Sequence, residues 1–331
     1  MAKSKNEIKE EIFANPDLTA YSDYVANTGE IIANVIAGAP TLTDLTPMLG
    51  VKANTTAQLN ILSTSVTWSN GNCVSTATGE SVVLDPRTVA VKRLSDRELL
   101  CLDLLDAKLP MIQSAGAKNE ELPFGALYMD LKVKENAKEL EKLAWQGSTS
   151  LVSGNLSKAD GFLKIADGEI ASLAYHNTFA TFTVSNAITV IQEALANRSE
   201  VMYEMDNLVI FMDQPKYAIL NQAIIAAYGV SGTGAFVNAG VENQTGVQEM
   251  IFPGTNVRVR ATHGLNGNGS IFMTNLDNLR YATDMESDKE SVELFFDKYH
   301  KQLVSDIVFA IGFQYQFPEN VVYLEYAPVV S

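Results

Sequence analysis

The clearest periodicity in the chain lies near its end. Ile307, Phe309, Ile311, Phe313, Tyr315 and Phe317 alternate strictly with other residues, a period of two that predicts a long strand. Pro318 breaks it, and Val321 to Tyr326 reads as a terminal strand. The longest helical pattern covers about 124–146. Val133, Ala137, Leu140 and Ala144 recur on one face, Lys and Glu fill the other, and Gly147 stands where a left-handed cap belongs. Such a helix is roughly 35 Å long, which suits a strut.

Between these two elements, about 160–275 reads as an α/β unit. Ser185 precedes a helix carrying Ile188, Ile191 and Leu195. Leu208 to Met212 is a buried strand, and Asp213-Gln214-Pro215 starts a helix that stops after Tyr228. A Gly-, Asn- and Ser-rich loop fills 229–246. Short strands follow near Asn256 to Ala261, Ser270 to Thr274 and Leu279 to Ala282, and Gly264 to Gly269 reads as a flexible hairpin loop.

The first half is less regular. Lys5 to Phe13 predicts a short charged helix, interrupted by Asn15-Pro16-Asp17. A second helix runs from about Ser22 to Ile36 and ends at Gly38 and Pro40. Leu59/Ile61 and Val66/Trp68 alternate with polar residues, and Ser69-Asn70-Gly71-Asn72 is a hairpin turn signal. Asp85-Pro86 is expected to interrupt the return strand, which resumes at Val89 and Val91. Ser95-Asp96-Arg97-Glu98 matches a capping box and predicts a short helix with Leu99, Leu102 and Leu105, ending before Pro110. A linker spans 114–123. There is no repeat at solenoid or propeller spacing.

Charge sharpens this picture. The 331 residues carry 39 acidic and 24 basic side chains, a net charge of −15. That balance argues against a protein whose task is to grip nucleic acid. Across 51–84 only Lys52 and Glu80 are charged. A two-stranded ribbon is marginal in water alone, so another chain is expected to cover it. Residues 1–50 hold too few large apolar residues to fold alone and are expected to lie on a surface of their own subunit or a neighbour. The N-terminus lacks the apolar region of a signal peptide. No apolar run is long enough to span a membrane, and a cytoplasmic origin is expected.

Candidate chemistry is sparse. Two cysteines, Cys73 and Cys101, exclude a disulfide framework. Cys101 is expected in the core of the 95–105 helix and Cys73 at the ribbon tip. His176, His263 and His300 stand apart and read as surface or edge-strand residues. Gly229-Val-Ser-Gly-Thr-Gly follows a helix, the wrong context for a dinucleotide fingerprint. No P-loop, nucleophile elbow or zinc-protease motif is present. Glu135 and Glu139 interleave with Lys134, Lys138 and Lys142 as a solvated helix face. No catalytic residue, cofactor or metal site is expected.

The order of elements resembles the major capsid protein of tailed bacteriophages, the HK97-like fold. The residues that carry the likeness are Leu140-Glu-Lys-Leu-Ala-Trp-Gln-Gly147, the strand-to-Ser-Asp-Arg-Glu-Leu-Leu passage of 82–100, Leu208 to Tyr217, and Phe309 to Tyr323 with Phe317-Pro-Glu-Asn. The resemblance implies an α+β chain with an N-terminal arm (1–50), an E-loop β-ribbon (51–94), a P-domain (95–160 and 276–304) with a spine helix at about 124–146, and an A-domain of sheet and helices (161–275 and 305–331). It implies a non-catalytic subunit that assembles as hexamers and pentamers into an icosahedral shell around double-stranded DNA, without specific DNA binding. Its place would be the virion, assembled in the host cytoplasm.

Further partners implied are a separate scaffolding protein, since the arm is short for a fused one, and portal and decoration proteins. The expected tip, 69–79, has no Lys, so the isopeptide cross-link of some members is not expected. Candidate inter-subunit contacts are Trp68, Asn70, Gly71, Asn72 and Cys73, with Trp68 either an interface anchor or a cross-strand packing residue. The alternatives are an encapsulin-like compartment shell and, from another class, an α/β enzyme with an acid/base site in 160–275.

Overall fold

The computed structural model describes residues 34–63, 83–101, 124–228, 248–284, 291–297 and 302–327. The helix expected at 5–13, most of the one expected at 22–36, the expected ribbon tip at 69–79, the linker expected at 114–123, the loop expected at 229–246 and His300 lie outside them.

The arm enters as a helical turn at 34–37, bends at Gly38, and continues as α1 (Pro40–Thr43) and β1 (Thr46–Met48). Gly38 ends the helical turn as expected. Pro40 instead opens the next one, because its fixed φ suits a first helical position. The arm from Val35 to Leu45 packs on its own subunit, and β1 pairs in parallel with β10 (Leu279–Thr283).

β2 (Thr56–Ser63) and β3 (Val83–Ala90) form the two-stranded ribbon. The ladder runs unbroken through Asp85 and Pro86, with Pro86 opposite Asn60. The expected interruption is absent, because an edge strand tolerates a proline whose missing N–H would face away from its partner.

The capping box does not start a helix. Ser95 to Glu98 lie inside β4 (Lys92–Cys101), which pairs along its whole length with β12 (Gln302–Tyr315). A helix cap contributes only about 1 kcal/mol, and ten cross-strand positions outweigh it. Cys101 is accordingly a strand residue opposite Gln302.

The spine helix, α2 (Phe124–Gln146), has the expected bounds. Ala137, Leu140 and Ala144 are buried on it. Gly147 does not take a positive φ. It is needed for space: a Cβ there would fall inside 3.0 Å of the Ala159 and Leu143 carbonyl oxygens. α3 (Phe162–Gly168) follows.

The central sheet runs β5 (Tyr175–Phe179), β13 (Val321–Tyr326), β9 (Ile271–Asn275), β6 (Leu208–Met212), β8 (Arg258–Ala261), β7 (Glu249–Ile251). β6 is buried throughout, because both sheet faces are covered. Val209 and Phe211 face the spine helix and α3, whereas Leu208, Ile210 and Met212 face α4 (Ala187–Ala196), α5 (Glu200–Glu204) and α6 (Gln214–Tyr228). Asp213 opens α6 as expected, accepting a hydrogen bond from the Lys216 backbone N–H at 3.0 Å. A second sheet places β12 between β11 (Ser291–Asp297) on one side and β4 on the other, with β10 and β1 continuing it.

Gly264 to Gly269 is not a hairpin loop. β8 and β9 flank β6 on opposite sides, and the segment between them turns back onto the spine helix. Gly264 is buried there, and a Cβ would collide with the Trp145 ring and the Glu141 carbonyl.

Candidate functional site

The contact residues read from the sequence, Trp68, Asn70, Gly71, Asn72 and Cys73, lie outside the described residues. The described part shows how the arm and the ribbon, the two segments that cannot fold alone, are fastened to the body.

The arm is fastened at the end of the spine helix. Glu141 is fully buried. Its carboxylate accepts the Thr41 backbone N–H at 3.0 Å, the Thr41 hydroxyl, and the Thr262 hydroxyl at 2.6 Å. The Trp145 indole N–H donates to the same Thr41 oxygen at 3.1 Å. Trp145 is itself buried among Phe162, Phe211 and Phe272, with ring centroids 4.8–5.6 Å away. Gln146 donates to the Gly264 and Asn266 carbonyls. Three segments far apart in sequence therefore meet at one turn of helix. The signal for this joint was present. Glu141 stands four residues after Ala137 and four before Trp145, on the apolar stripe, where a charge needs partners.

A second clasp joins Asp44 of the arm to Arg260 of β8, which also donates to Glu249 at 2.6 Å. Burial alone would lower the Arg260 pKa, but the Glu249 and Asp44 carboxylates outweigh it and raise it.

The ribbon is fastened at its foot. Arg87 of β3 donates to both Glu169 oxygens at 2.9 and 2.6 Å, and its guanidinium lies 5.0 Å from the Tyr315 ring centroid. The Tyr315 hydroxyl donates to Glu169 at 2.8 Å. Burial, and then the Glu169 carboxylate, push the Tyr315 pKa well up. Gln314 donates to the Thr88 carbonyl. Gly312 leaves room for the Ala90 carbonyl, which any Cβ would strike.

The spine helix is tied to β4 by Lys132, which reaches Asp96 at 3.0 Å and Glu98 at 2.6 Å. Burial works to lower its pKa, and these carboxylates raise it overall. On the outer face Lys142 pairs with Glu139 at 2.9 Å and Lys138 with Glu135 at 3.6 Å, the solvated arrangement that the spacing implied.

Other polar groups are scattered. His176 lies on edge strand β5, 3.5 Å from Glu325, and His263 sits on the segment packed against the spine helix. Burial lowers the Lys216 pKa against the opposing pull of Asp213, 3.6 Å away. Among the described residues no group of three or more His, Cys, Asp or Glu is placed to hold a metal ion, and no helix is long and apolar enough to cross a membrane.

A body of long helix and two sheets, with a fastened arm and a two-stranded ribbon, has the HK97-like α+β fold. No family model matches the chain, and no curated protein matches it in sequence. Solved structures do match. The procapsid of satellite phage P4 that includes the size-determination (Sid) protein aligns with a TM-score of 0.55 at 12% identity, over 91% of this chain and 99% of that one. The capsid of the native GTA particle gives 0.56 at 13% identity, over 88% and 90%. The holo-SrpI encapsulin complex of Synechococcus elongatus gives 0.51 at 10% identity, over 89% and 90%. This chain thus shares its fold with capsid and encapsulin proteins.

Proposed function

We propose that the chain is the major capsid protein of a tailed bacteriophage, a non-catalytic subunit of the icosahedral head that encloses double-stranded DNA. The observation that supports this most is the extent of the likeness: nearly the whole chain aligns with nearly the whole of a procapsid subunit. The arm and spine joint gives each subunit a rigid body. The ribbon, with Trp68 and the Asn70-Gly71-Asn72-Cys73 turn at its expected tip, is the part proposed to lie over a neighbour. The net charge of −15 suits a container wall to which packaged DNA does not adhere.

In this reading the subunits form hexamers and pentamers in the host cytoplasm, guided by a separate scaffold and completed by a portal. The encapsulin-like alternative rests on the comparable likeness to the Synechococcus shell. Producing the chain with its candidate scaffold and viewing the product by negative-stain microscopy tests the proposal. Shells that package DNA support the phage head. Shells that enclose a co-purifying protein support the compartment. A small discrete oligomer contradicts both.

A further inference from the structure

Besides the three-residue β1, the sheet built on β12 has two longer strands with an open edge among the described residues: β4 on one side and β11 on the other, each paired with β12 alone. Both are antiparallel to β12, so β4 and β11 run in the same direction. Long unpaired edges invite pairing with another chain.

The two edges carry opposite charge at the same spacing. On β4, Arg93, Ser95, Arg97 and Leu99 are exposed and alternate with Leu94, Asp96 and Glu98, which are half-buried. Asp96 and Glu98 are taken up by Lys132 of the spine helix. Among the described residues Arg93 and Arg97 make no ion pair, and Leu99 is 56% exposed. On β11 the acidic positions are Glu293 and Asp297. Each pair is separated by four residues, about 13 Å along a strand. Position 293 stands in one cross-strand row with Asp306 and Arg97, so the acidic positions share a sheet face with the basic ones.

We propose that the β4 edge is an inter-subunit contact whose occupant is the β11 edge of a second copy of this chain. The strands run in the same direction, with Arg93 against Glu293 and Arg97 against Asp297 of the second copy. The inference rests on the shell reading and deepens it, because it names a contact on the body in addition to the ribbon. The two edges are different surfaces, so the contact is heterologous, the type that generates rings when it closes. Like charges facing each other would oppose it.

Charge reversal tests this. Arg93→Glu/Arg97→Glu and, separately, Glu293→Lys/Asp297→Lys are prepared, with circular dichroism and melting to verify folding. Particle yield is followed by light scattering and microscopy. Each double variant is expected to lose assembly at least tenfold. Mixing the two variants, or combining all four changes in one chain, is expected to restore it, since the reversed edges are again complementary. Rescue also guards against a variant that merely folds poorly. Unchanged assembly of either double variant, or loss with no rescue in the mixture and in the combined chain, overturns this contact and leaves the shell reading standing. A parent chain that stays monomeric at every concentration overturns both.

Discussion

Thr41 illustrates how a single side chain joins the arm to the body. Its hydroxyl donates to the buried Glu141 carboxylate and accepts from the Trp145 indole. Thr41→Val keeps the shape and removes both bonds, leaving an indole N–H without its acceptor. A loss of roughly 1–3 kcal/mol is expected, read as a lower urea midpoint with an unchanged slope. Gly264→Ala attacks the same joint by volume. The new methyl would meet Trp145 and the Glu141 backbone, and overpacking typically costs about 1–3 kcal/mol; thermal unfolding measures it. On the solvated face, the Lys142 and Asn155 hydrogen bonds hold the Glu139 carboxyl below its ordinary value of 4.5. A depressed folded value contributes stability that is present above pH 4.5 and lost as pH falls through the folded value. Glu139→Gln should therefore lower stability at neutral pH and flatten its decline in acid, as thermal melts across that range would show.

At the scale of elements, the ribbon foot is held to the body by the Arg87–Glu169 ion pair, hydrogen bonds of the Gln314 side chain from Arg87 and to the Thr88 carbonyl, the Arg87–Tyr315 contact, a close backbone approach at Gly312, and a small apolar cluster of Leu59 and Val89 with Ala282 and Ala310. Glu169→Ala removes the acceptor for both Arg87 and Tyr315. Hydrogen exchange should then quicken in β2 and β3 while the central sheet keeps its protection; uniform protection would show that the ribbon is held otherwise. The elements also differ in how far the sequence revealed them. The spine helix, β6, β13 and the start of α6 were legible to within a residue, because each is bounded by strong local signals and has a full apolar pattern. β4 was not. Its Ser-Asp-Arg-Glu run is a good local cap, and only its partner β12, some two hundred residues away, makes it a strand. Gly147 and Gly264 were visible as glycines, but their reason is steric contact with distant segments, which no local pattern encodes. The Glu141 joint escaped for the same reason, although a charge on an apolar stripe was its trace.

For the whole molecule, the arm from Val35 to Met48 is woven into its own subunit by Thr41, Asp44 and the β1–β10 pairing. Residues 1–50 were expected to lie on their own subunit or on a neighbour, and for this stretch it is their own. The ribbon strands pair only with each other among the described residues; the proposed reach between subunits falls to the ribbon and to the β4 and β11 edges. Removing residues 66–74 should abolish assembly and leave a folded monomer by circular dichroism and light scattering. The most direct measurement is microscopy of the intact chain produced with its candidate scaffold, together with its mass by light scattering. Closed shells of uniform size are expected. A small discrete oligomer, with no shells, sheets or tubes, would contradict the assignment of this chain to a shell.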